Sequence, residues 1–210
     1  MDKRDLYIVG AGDFGRELES HLDGVPEKRR TWRIAGYLDD NPAALEGCPS
    51  DYRVLASISD FQFKPRDVAI VAIAAPRQKK RVVEAIRGRV ELLTFISPDA
   101  IIGKFVKIGA GCIIGPRAII GTNVILGDAV FINSGSMIGH DVTIGSFSSF
   151  MANNNIAGRC HIGDEVYFAS TTTVIPGRSI CAGAFIGAGS VVIRHIKEPR
   201  TVFGNPARYV

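Results

Sequence analysis

The amino-acid sequence predicts an α/β domain followed by a parallel β-helix. Three observations predict it: an apolar residue recurs every six positions in the second half, a Gly-x-Gly-x-x-Gly segment follows a short apolar run in the first half, and 210 residues suffice for two small domains. We place the first domain at residues 1–96 and the second at residues 97–210.

The six-residue period of the second half does not slip. The repeating apolar positions are Ile102, Ile108, Ile114, Ile120, Leu126, Ile132, Ile138, Ile144, Phe150, Ile156, Ile162, Phe168, Val174, Ile180, Ile186 and Val192. Helices and ordinary sheets have periods of 3.6 and 2, so neither fits this pattern. Each unit instead predicts one short strand and a turn, and three units close a coil, which gives about five coils.

Residues 18 positions apart are therefore predicted to stack on one another. Phe150 should lie directly beneath Phe168. A second inward position carries polar residues, which are Ser136, Asn154, Thr172 and Ser190. We expect them to hydrogen-bond one another inside one edge of the β-helix, because an unpaired buried polar group costs about 1–3 kcal/mol.

The first half begins with a strand, Leu6 to Val9, and a glycine-rich turn that leads into a helix over 16–22. This turn contains Gly10, Gly12, Asp13, Phe14 and Gly15. Glycines at this spacing let a phosphate approach the backbone, and the positive end of the helix attracts its charge. A tight turn without a ligand is the alternative, because short motifs of this kind are weak.

Later elements of the first half support nucleotide binding. A strand over 33–38 ends at Asp39 and Asp40, which are placed to accept hydrogen bonds from a ribose or a base. A strand over 67–74, Arg77, a helix over 78–88 and a strand over 91–96 follow. These elements make half of a Rossmann domain, so one mononucleotide fits better than a dinucleotide.

Composition narrows the class of protein. The apolar runs are too short to cross a bilayer, and the N-terminal segment does not resemble a secretory signal. The four cysteines form no C-x-x-C pair, which argues against a zinc site and a disulfide framework. The net charge of +4 is modest and suits phosphorylated small molecules at least as well as nucleic acid. We expect a cytoplasmic protein without a bound metal, a membrane segment or a nucleic-acid partner.

One histidine lies at a suggestive place in the repeat. His140 is predicted at an outward corner beside Asp141, with Gly158 one coil above. A neutral imidazole is able to act as a general base there, and the backbone N–H of Gly158 is able to stabilise an oxyanion. A plain surface histidine is the alternative, and an ion pair with Arg159 is the alternative for Asp141. We assign structural roles to the other histidines, His21, His161 and His195.

The chain resembles the sialic acid O-acetyltransferase-like family over essentially its whole length. The matching motifs are Gly10-x-Gly12-x-x-Gly15, Asp39-Asp40, the unbroken repeat, His140-Asp141 before Ile144-Gly145-x-Phe147, and Gly204-Asn205-Pro206-Ala207-Arg208. The resemblance implies a left-handed β-helix, a trimer that binds acetyl-CoA between neighbouring subunits, and a nucleotide-linked sugar in the first domain. Many members carry a second histidine nine residues after the base, where this chain has Ser149.

The resemblance also implies roles for individual residues. His140 would be the base, Asp141 would tune it, and the amide of Gly158 would face the thioester. Acetyl-CoA would contact Ala169, Ser170, Gly187, Ala188, Asn205 and Pro206. The sugar nucleotide would contact Gly10, Gly12, Asp13, Phe14, Gly15, Asp39, Asp40 and Arg77.

These observations favour an enzyme that acetylates the amine of a nucleotide-activated amino sugar for bacterial surface glycans. Three alternatives stay open: O-acetylation of a sialic acid or another sugar, a non-catalytic trimeric scaffold that binds a nucleotide, and an NAD-dependent activity. A homotrimer is expected independently of the resemblance, because a single open corner cannot enclose a reaction. The residues do not identify the base of the nucleotide or the sugar.

Overall fold

A computed structural model describes residues 3–210, which form two compact units. The first unit contains residues 3–74 and 78–94, and the second contains residues 75–77 and 95–210. Each unit has its own buried apolar core.

The first unit is a five-stranded parallel sheet with two α-helices. Its elements are β1 (Arg4–Val9), α1 (Asp13–Asp23), a 3-10 helix (Glu27–Arg29), β2 (Trp32–Leu38), β3 (Val54–Ala56), β4 (Val68–Val71), α2 (Pro76–Ile86) and β5 (Glu91–Leu92). The strand order is β3-β2-β1-β4-β5. β4 is buried at every residue and β1 along its last four, as expected for central strands of a parallel sheet.

Three features of this part of the chain differ from the prediction. β3 was missed, because its three residues are only partly buried and form no long apolar run. The strand predicted over 91–96 is divided: Glu91–Leu92 pairs with β4, whereas Phe95–Ile96 pairs with a strand of the β-helix. α1 also begins at Asp13 instead of Arg16, so the glycine-rich turn enters the helix directly.

The second unit is a solenoid of two-residue strands. They are β6 (Phe95–Ile96), β7 (Ile101–Ile102), β8 (Lys107–Ile108), β9 (Ile113–Ile114), β10 (Ile119–Ile120), β11 (Ile125–Leu126), β12 (Phe131–Ile132), β13 (Met137–Ile138), β14 (Thr143–Ile144), β15 (Ser149–Phe150), β16 (Asn155–Ile156), β17 (His161–Ile162), β18 (Tyr167–Phe168), β19 (Thr173–Val174), β20 (Ser179–Ile180), β21 (Phe185–Ile186) and β22 (Val191–Val192). β23 (Thr201–Phe203) and β24 (Arg208–Tyr209) follow.

Strands β6 to β22 form three sheets in which every third strand pairs in parallel with the next coil, in an 18-residue register. β23 extends one sheet in parallel with β21, and β24 pairs with β23 in the antiparallel direction. We call the sheet of β7, β10, β13, β16, β19 and β22 the middle sheet. The predicted parallel β-helix is confirmed. All the predicted inward residues are buried except Ile102 and Ile108, which are half-buried in the first coil, where a neighbouring coil lies on one side only.

The stacking predictions are confirmed at the aromatic pair. The rings of Phe150 and Phe168 lie 4.5 Å apart between centroids and are nearly parallel, at 11°. Both side chains are fully buried. One sequence rule, the 18-residue offset, therefore places side chains on adjacent coils.

The polar column is buried as predicted, but its hydrogen bonds differ from the expectation. The side chains bond to backbone groups instead of to one another. Ser136 Oγ accepts from the N–H of Asn154 at 3.2 Å, and Asn154 Oδ1 accepts from the N–H of Thr172 at 2.9 Å. Over the described residues, every buried side-chain nitrogen or oxygen has a hydrogen-bond partner. The column stabilises coil-to-coil stacking.

Candidate active site

The glycine-rich turn of the first unit requires glycine at two positions and leaves space at a third. Gly10 has a φ of +103°, which favours glycine. A Cβ on Gly15 would lie 2.2 Å from the carbonyl oxygen of Gly10, so only glycine fits there. A Cβ on Gly12 would meet no atom within 4 Å. Gly12 therefore borders open space at the start of α1, where a ligand is able to approach.

The two aspartates after β2 anchor neighbouring loops. Asp39 Oδ2 accepts from the N–H of Ala11 at 2.7 Å, and its Oδ1 accepts from the N–H of Asn41 at 2.9 Å. Asp40 Oδ1 accepts from the N–H of Ile58 at 3.0 Å. Both carboxylate oxygens of Asp39 thus accept hydrogen bonds. One carboxylate oxygen of Asp40 has no hydrogen-bond partner in the described part of the chain. We expected both carboxylates to contact a ligand.

A cleft of about 340 Å³ lies at this end of the sheet. It is lined by Gly10, Gly12, Asp13, Phe14, Asp39, Asp40, Ile58, Ala72, Ile73, Gln78 and Val82. A second hollow of about 340 Å³ shares Asp40, Ile58, Gln78 and Val82 with it and adds Ser59, Arg81 and Ala85. The structure thus brings together the predicted nucleotide-binding residues except Gly15, which packs under the turn, and Arg77.

Arg77 is not among the residues that line this cleft, and its assignment to the nucleotide site stays a prediction. The helix residues that line the two hollows are Gln78, Arg81, Val82 and Ala85, which sequence reasoning missed. They follow the i, i+3, i+4, i+7 spacing of one helix face. That spacing is the sequence pattern from which these four residues could have been identified. Asp13 is exposed and forms an ion pair with Arg16 at 2.6 Å.

His140 lies at a corner of the solenoid between β13 and β14, and its ring is 57% exposed. Nδ1 of His140 lies 2.7 Å from Oδ2 of Asp141. The other oxygen of Asp141, Oδ1, accepts from the side-chain amide of Asn123 at 2.7 Å. The contact with Asp141 favours a proton on Nδ1, which leaves a lone pair on Nε2.

Gly158 lies against the free side of this imidazole. A Cβ built on Gly158 would lie 2.6 Å from Nε2 and 2.7 Å from Cε1 of His140. Any other residue would therefore displace the ring. The backbone N–H of Gly158 has no hydrogen-bond acceptor among residues 3–210, whereas the next amide, of Arg159, donates to the carbonyl of His140 at 2.9 Å. A base and an unused donor thus meet at one corner.

The electrostatics of the corner depend on Asn123 more than on Arg159. The hydrogen bond from Asn123 is the main reason that the pKa of Asp141 lies below its ordinary value, followed by the bond with His140. Arg159 forms no ion pair with Asp141 and contributes only through its more distant charge. The ion pair considered from the sequence is therefore absent among the described residues. Asn123 was missed, although it lies 18 positions before Asp141.

The residues predicted to bind acetyl-CoA lie at another corner. Ala169 and Ser170 follow β18, and Gly187 and Ala188 follow β21, one coil above. Phe203 covers Gly187, since its Cδ2 would lie 2.4 Å from a Cβ there. Asn205 and Pro206 are exposed in the turn between β23 and β24. The corner of His140 and this corner border opposite edges of the middle sheet.

Ser149 lies nine residues after His140, at the position for which the resemblance implied a second histidine in many family members. It lies in β15, is fully buried, and pairs with Phe131 and Tyr167 on adjacent coils. His195 accepts a hydrogen bond from the N–H of Ser179 at 3.0 Å, which supports a structural role. His21 ends α1 and His161 lies in β17.

Two further observations concern metal and membrane binding. Within residues 3–210, one group of side chains, Glu19, Asp23 and Asp51, is close enough together to hold a metal ion. Glu19 already accepts hydrogen bonds from Tyr37, Ser50 and the N–H of Asp51, so this cluster is explained by the fold. No helix in the described part of the chain is long and apolar enough to span a membrane.

Each unit contains a segment that matches a known protein family. Residues 94–127 match the bacterial transferase hexapeptide family (six repeats). Residues 5–86 match the PglD N-terminal domain family. The first unit is therefore similar to a PglD N-terminal domain, and the second unit begins with a segment similar to hexapeptide-repeat transferases.

Solved structures with the same fold cover the whole chain. The acetyltransferase domain of PglB from Neisseria gonorrhoeae FA1090 is 24% identical, with a TM-score of 0.86 over 99% of this chain and 100% of that one. WeeI from Acinetobacter baumannii AYE is 26% identical, with a TM-score of 0.84 over 99% and 100%. PerB from Caulobacter crescentus, solved in complex with CoA and GDP-perosamine, is 23% identical, with a TM-score of 0.87 over 98% and 97%.

Curated relatives match only part of the chain. A putative acetyltransferase of Staphylococcus aureus (strain COL), SACOL2570, is 43% identical over 54 residues, which are 26% of this chain and 27% of that protein. The putative acetyltransferase YvoF of Bacillus subtilis is 40% identical over 53 residues, 25% of this chain and 31% of that protein. The chain thus spans about a quarter to a third of the length of these relatives.

Proposed function

We propose that this protein is an acetyl-CoA-dependent N-acetyltransferase that acts on the amine of a nucleotide-activated amino sugar in bacterial surface glycan biosynthesis. The observation that carries the proposal is the corner formed by His140, Asp141 and Gly158. It offers a base with a free Nε2, a carboxylate that supports the imidazolium, and an unused backbone donor. These are the groups that acyl transfer to an amine needs.

In the proposed reaction the amine attacks the thioester carbonyl carbon. Nε2 of His140 accepts a proton from the attacking nitrogen, and Asp141 stabilises the resulting imidazolium. The N–H of Gly158 donates to the oxyanion of the tetrahedral intermediate. When the intermediate collapses, the carbon–sulfur bond breaks, and the CoA thiolate takes up a proton from the imidazolium. No step uses a metal ion.

The nucleotide is proposed to bind in the cleft of the first unit, with its phosphates near Gly10, Gly12 and Phe14. The start of α1 supports this placement, because Gly12 precedes the helix, has no side chain to cap it, and borders open space. Asp40 is the better candidate for a ribose or base contact, because Asp39 is fully engaged with the backbone. PerB, a protein of the same fold, was solved with GDP-perosamine.

We further propose that the protein is a homotrimer and binds acetyl-CoA between subunits. The proposed donor residues, Ala169, Ser170, Gly187, Ala188, Asn205 and Pro206, do not lie at the His140 corner of the same chain. Both corners border the middle sheet, whose outer face carries a column of exposed apolar side chains, Ile101, Ile119 and Met137. Association through this face would bring one subunit's donor corner toward its neighbour's base.

The donor is supported by a protein of the same fold, since the acetyltransferase domain of PglB was solved in complex with acetyl coenzyme A. We place the reaction in the cytoplasm, where acetyl-CoA and sugar nucleotides are made. The proposed partners are thus a sugar nucleotide, acetyl-CoA and two further copies of the chain.

The decisive experiment measures CoA release with a panel of UDP-, GDP- and dTDP-linked amino sugars and free sialic acid. Turnover with an amino sugar nucleotide, and none with the counterpart in which a hydroxyl replaces the amine, supports N-acetylation. Turnover with sialic acid alone supports O-acetylation. If no acceptor is turned over while the nucleotides still bind, the protein is a binding scaffold and the proposal fails.

A further inference from the structure

We infer that Asn123 is a positioning residue for the proposed base: its side-chain amide fixes the Asp141 carboxylate, which in turn fixes the orientation and tautomer of His140. The inference rests on the proposed function for its kinetic consequences. It rests on geometry alone for the tautomer.

The contacts form one continuous path across two coils. Nδ2 of Asn123 lies 2.7 Å from Oδ1 of Asp141, and Oδ2 of the same carboxylate lies 2.7 Å from Nδ1 of His140. The Asp141 side chain is 44% exposed, so packing does not prevent it from rotating. With one oxygen held by Asn123, the other oxygen is kept facing the imidazole.

The orientation of this carboxylate decides which ring nitrogen of His140 is basic. A fixed acceptor at Nδ1 keeps the proton there, and the lone pair is then on Nε2, the atom that lies against Gly158. If Asp141 turns away, neutral imidazole is free to place its proton on Nε2. In that tautomer the nitrogen beside Gly158 is a donor and cannot accept a proton from the amine.

A purely structural role for Asn123 is the competing explanation. Its φ of +63° lies in the left-handed region, which asparagine tolerates better than most residues. Asn123 is exposed, however, and its side chain forms one hydrogen bond among the described residues, which is the bond to Asp141. Glycine at this position keeps the backbone conformation and removes only the amide, so the two roles are separable.

Few other charges act on this carboxylate. Two charged groups affect the Asp141 carboxylate. One is His140, its neighbour in the chain, and the other is Arg159, one coil above. Lys104 occupies the His140 column two coils below, and its carbonyl accepts from the N–H of Asn123 at 2.9 Å. These charges are unchanged in an Asn123 variant. A shift in its pH profile therefore reflects the Asp141 carboxylate and the residue that replaces Asn123.

The kinetic experiment compares Asn123→Gly and Asn123→Asp with the wild-type protein. Asn123→Gly should lower kcat on the order of tenfold, as loss of an outer hydrogen bond to an active histidine does, with KM for acetyl-CoA unchanged. Its acid limb in kcat/KM should move to lower pH, because a mobile Asp141 supports the imidazolium less. Asn123→Asp adds a negative charge, so its acid limb should move to higher pH.

Arg117→Gly is the matched control. Arg117 is also exposed and left-handed, with a φ of +57°, but it lies at a different corner of the solenoid. This variant should keep the wild-type kcat and pH profile. If Asn123→Gly also keeps them, the inference is overturned. If the acid limbs of Asn123→Gly and Asn123→Asp move in the same direction, the effect is structural, and the inference is likewise overturned.

A spectroscopic measurement tests the tautomer without turnover. Nitrogen-15 NMR of the histidine rings, with His140 assigned from a His140→Ala variant, should show a protonated Nδ1 and an unprotonated Nε2 in the neutral wild-type ring. Asn123→Gly should shift the ring toward the Nε2-protonated form. If wild type lacks all acetyltransferase activity but the tautomer changes as expected, the proposed function fails and the positioning role of Asn123 stands. An unchanged tautomer contradicts the inference directly.

Discussion

The two units of this protein are organised by different rules. In the solenoid, many side-chain hydrogen bonds join adjacent coils and link residues 15 to 18 positions apart, as those of Ser148 with the carbonyl of Gly163 and the N–H of Val166 do. In the α/β unit, the single carboxylate of Glu19 bonds to Tyr37, Ser50 and Asp51, at separations of 18, 31 and 32 residues. A substitution in the solenoid therefore affects adjacent coils, whereas one in the α/β unit affects several loops at once.

The same contrast distinguishes the two candidate sites, the His140 corner and the nucleotide cleft. The His140 corner consists of residues from adjacent coils, and it lies on the outside of the apolar core. The nucleotide cleft instead depends on a turn, two strand ends and one face of α2. We therefore expect substitutions at the corner to change catalysis without changing stability, and substitutions around the cleft to reduce stability wherever a packed residue is replaced.

The largest effect is expected for His140→Ala. Removal of a general base should lower kcat by about 10²–10⁴, with little change in acetyl-CoA affinity, because the base acts on the transition state. Stability should be unchanged, since the ring is exposed and its loss leaves no cavity. Kinetics with a saturating donor, and a thermal melt of the same preparation, measure both.

The matched control is His161→Ala, another exposed histidine of the solenoid, which should keep wild-type turnover. The acid limb of kcat/KM should also depend on His140. A limb that survives in His140→Ala belongs to the substrate amine. Wild-type turnover in His140→Ala would exclude the base and favour simple positioning of a neutral amine beside the thioester.

Two glycines of the first unit should separate stability from binding. Gly15→Ala places a Cβ 2.2 Å from the carbonyl oxygen of Gly10, so the turn must move, at a cost of about 1–3 kcal/mol or more in the free energy of unfolding. Gly12→Ala meets no atom and should fold normally, but it should raise KM for the sugar nucleotide. Urea denaturation and nucleotide calorimetry distinguish them.

The outcome also tests the placement of the ligand. Acetyl-CoA affinity should be unchanged in Gly12→Ala, because the proposed donor site is in the second unit. If Gly12→Ala binds the nucleotide as tightly as wild type does, the ligand does not approach this turn, and the proposed cleft is wrong.

A smaller effect is expected inside the solenoid. Asn154→Ala leaves the buried N–H of Thr172 without its acceptor, which should lower the free energy of unfolding by about 1–3 kcal/mol. Asn154→Ser should lose less, because serine occupies the same column at Ser136 and Ser190. Chemical denaturation measures the difference, with Asn155→Ala as the exposed neighbour control. Equal losses in the alanine and serine variants would show that volume matters more than the hydrogen bond.

These differences explain what the sequence was able to predict. The period placed each inward residue of the solenoid, the Phe150–Phe168 stack and the position of Gly158 above His140, because one offset governs all of them. The same offset identifies Asn123 as the residue below Asp141, but the sequence alone gives no reason to choose it over Arg159, one coil above. The side-chain distances decide between the two.

In the first unit, local patterns predicted β1, β2 and both helices, and the glycine motif located the turn. The hydrogen bonds that Asp39 accepts from Ala11 and that Asp40 accepts from Ile58 were not predictable, since they join segments at irregular separations. β3 was missed because it is short and half-exposed. Gln78, which follows Arg77 in the chain, lines the cleft and was not identified from the sequence.

The smallest effect concerns Tyr37, the buried tyrosine that donates to Glu19 in the first unit. Burial, and then the hydrogen bond to Glu19, raise the pKa of Tyr37 far above its ordinary value. A raised pKa in the folded state means that this contribution to stability is complete below the unfolded value, about 10, and is lost as the pH rises above it. In that range the unfolded chain releases a proton that the folded chain keeps.

The free energy of unfolding should therefore fall by about 1.4 kcal/mol per pH unit above pH 10 for this one group. Tyr37→Phe should lower stability at neutral pH by about 1 kcal/mol, through loss of the hydrogen bond, and should reduce the alkaline slope. Tyr167→Phe in the solenoid should reduce the slope less, because burial alone raises the pKa of Tyr167. Urea titrations between pH 8 and about 11 measure both slopes. If Tyr37→Phe keeps the wild-type slope, the alkaline sensitivity does not arise from the Glu19 network, and the contrast between the two units does not extend to their pH dependence.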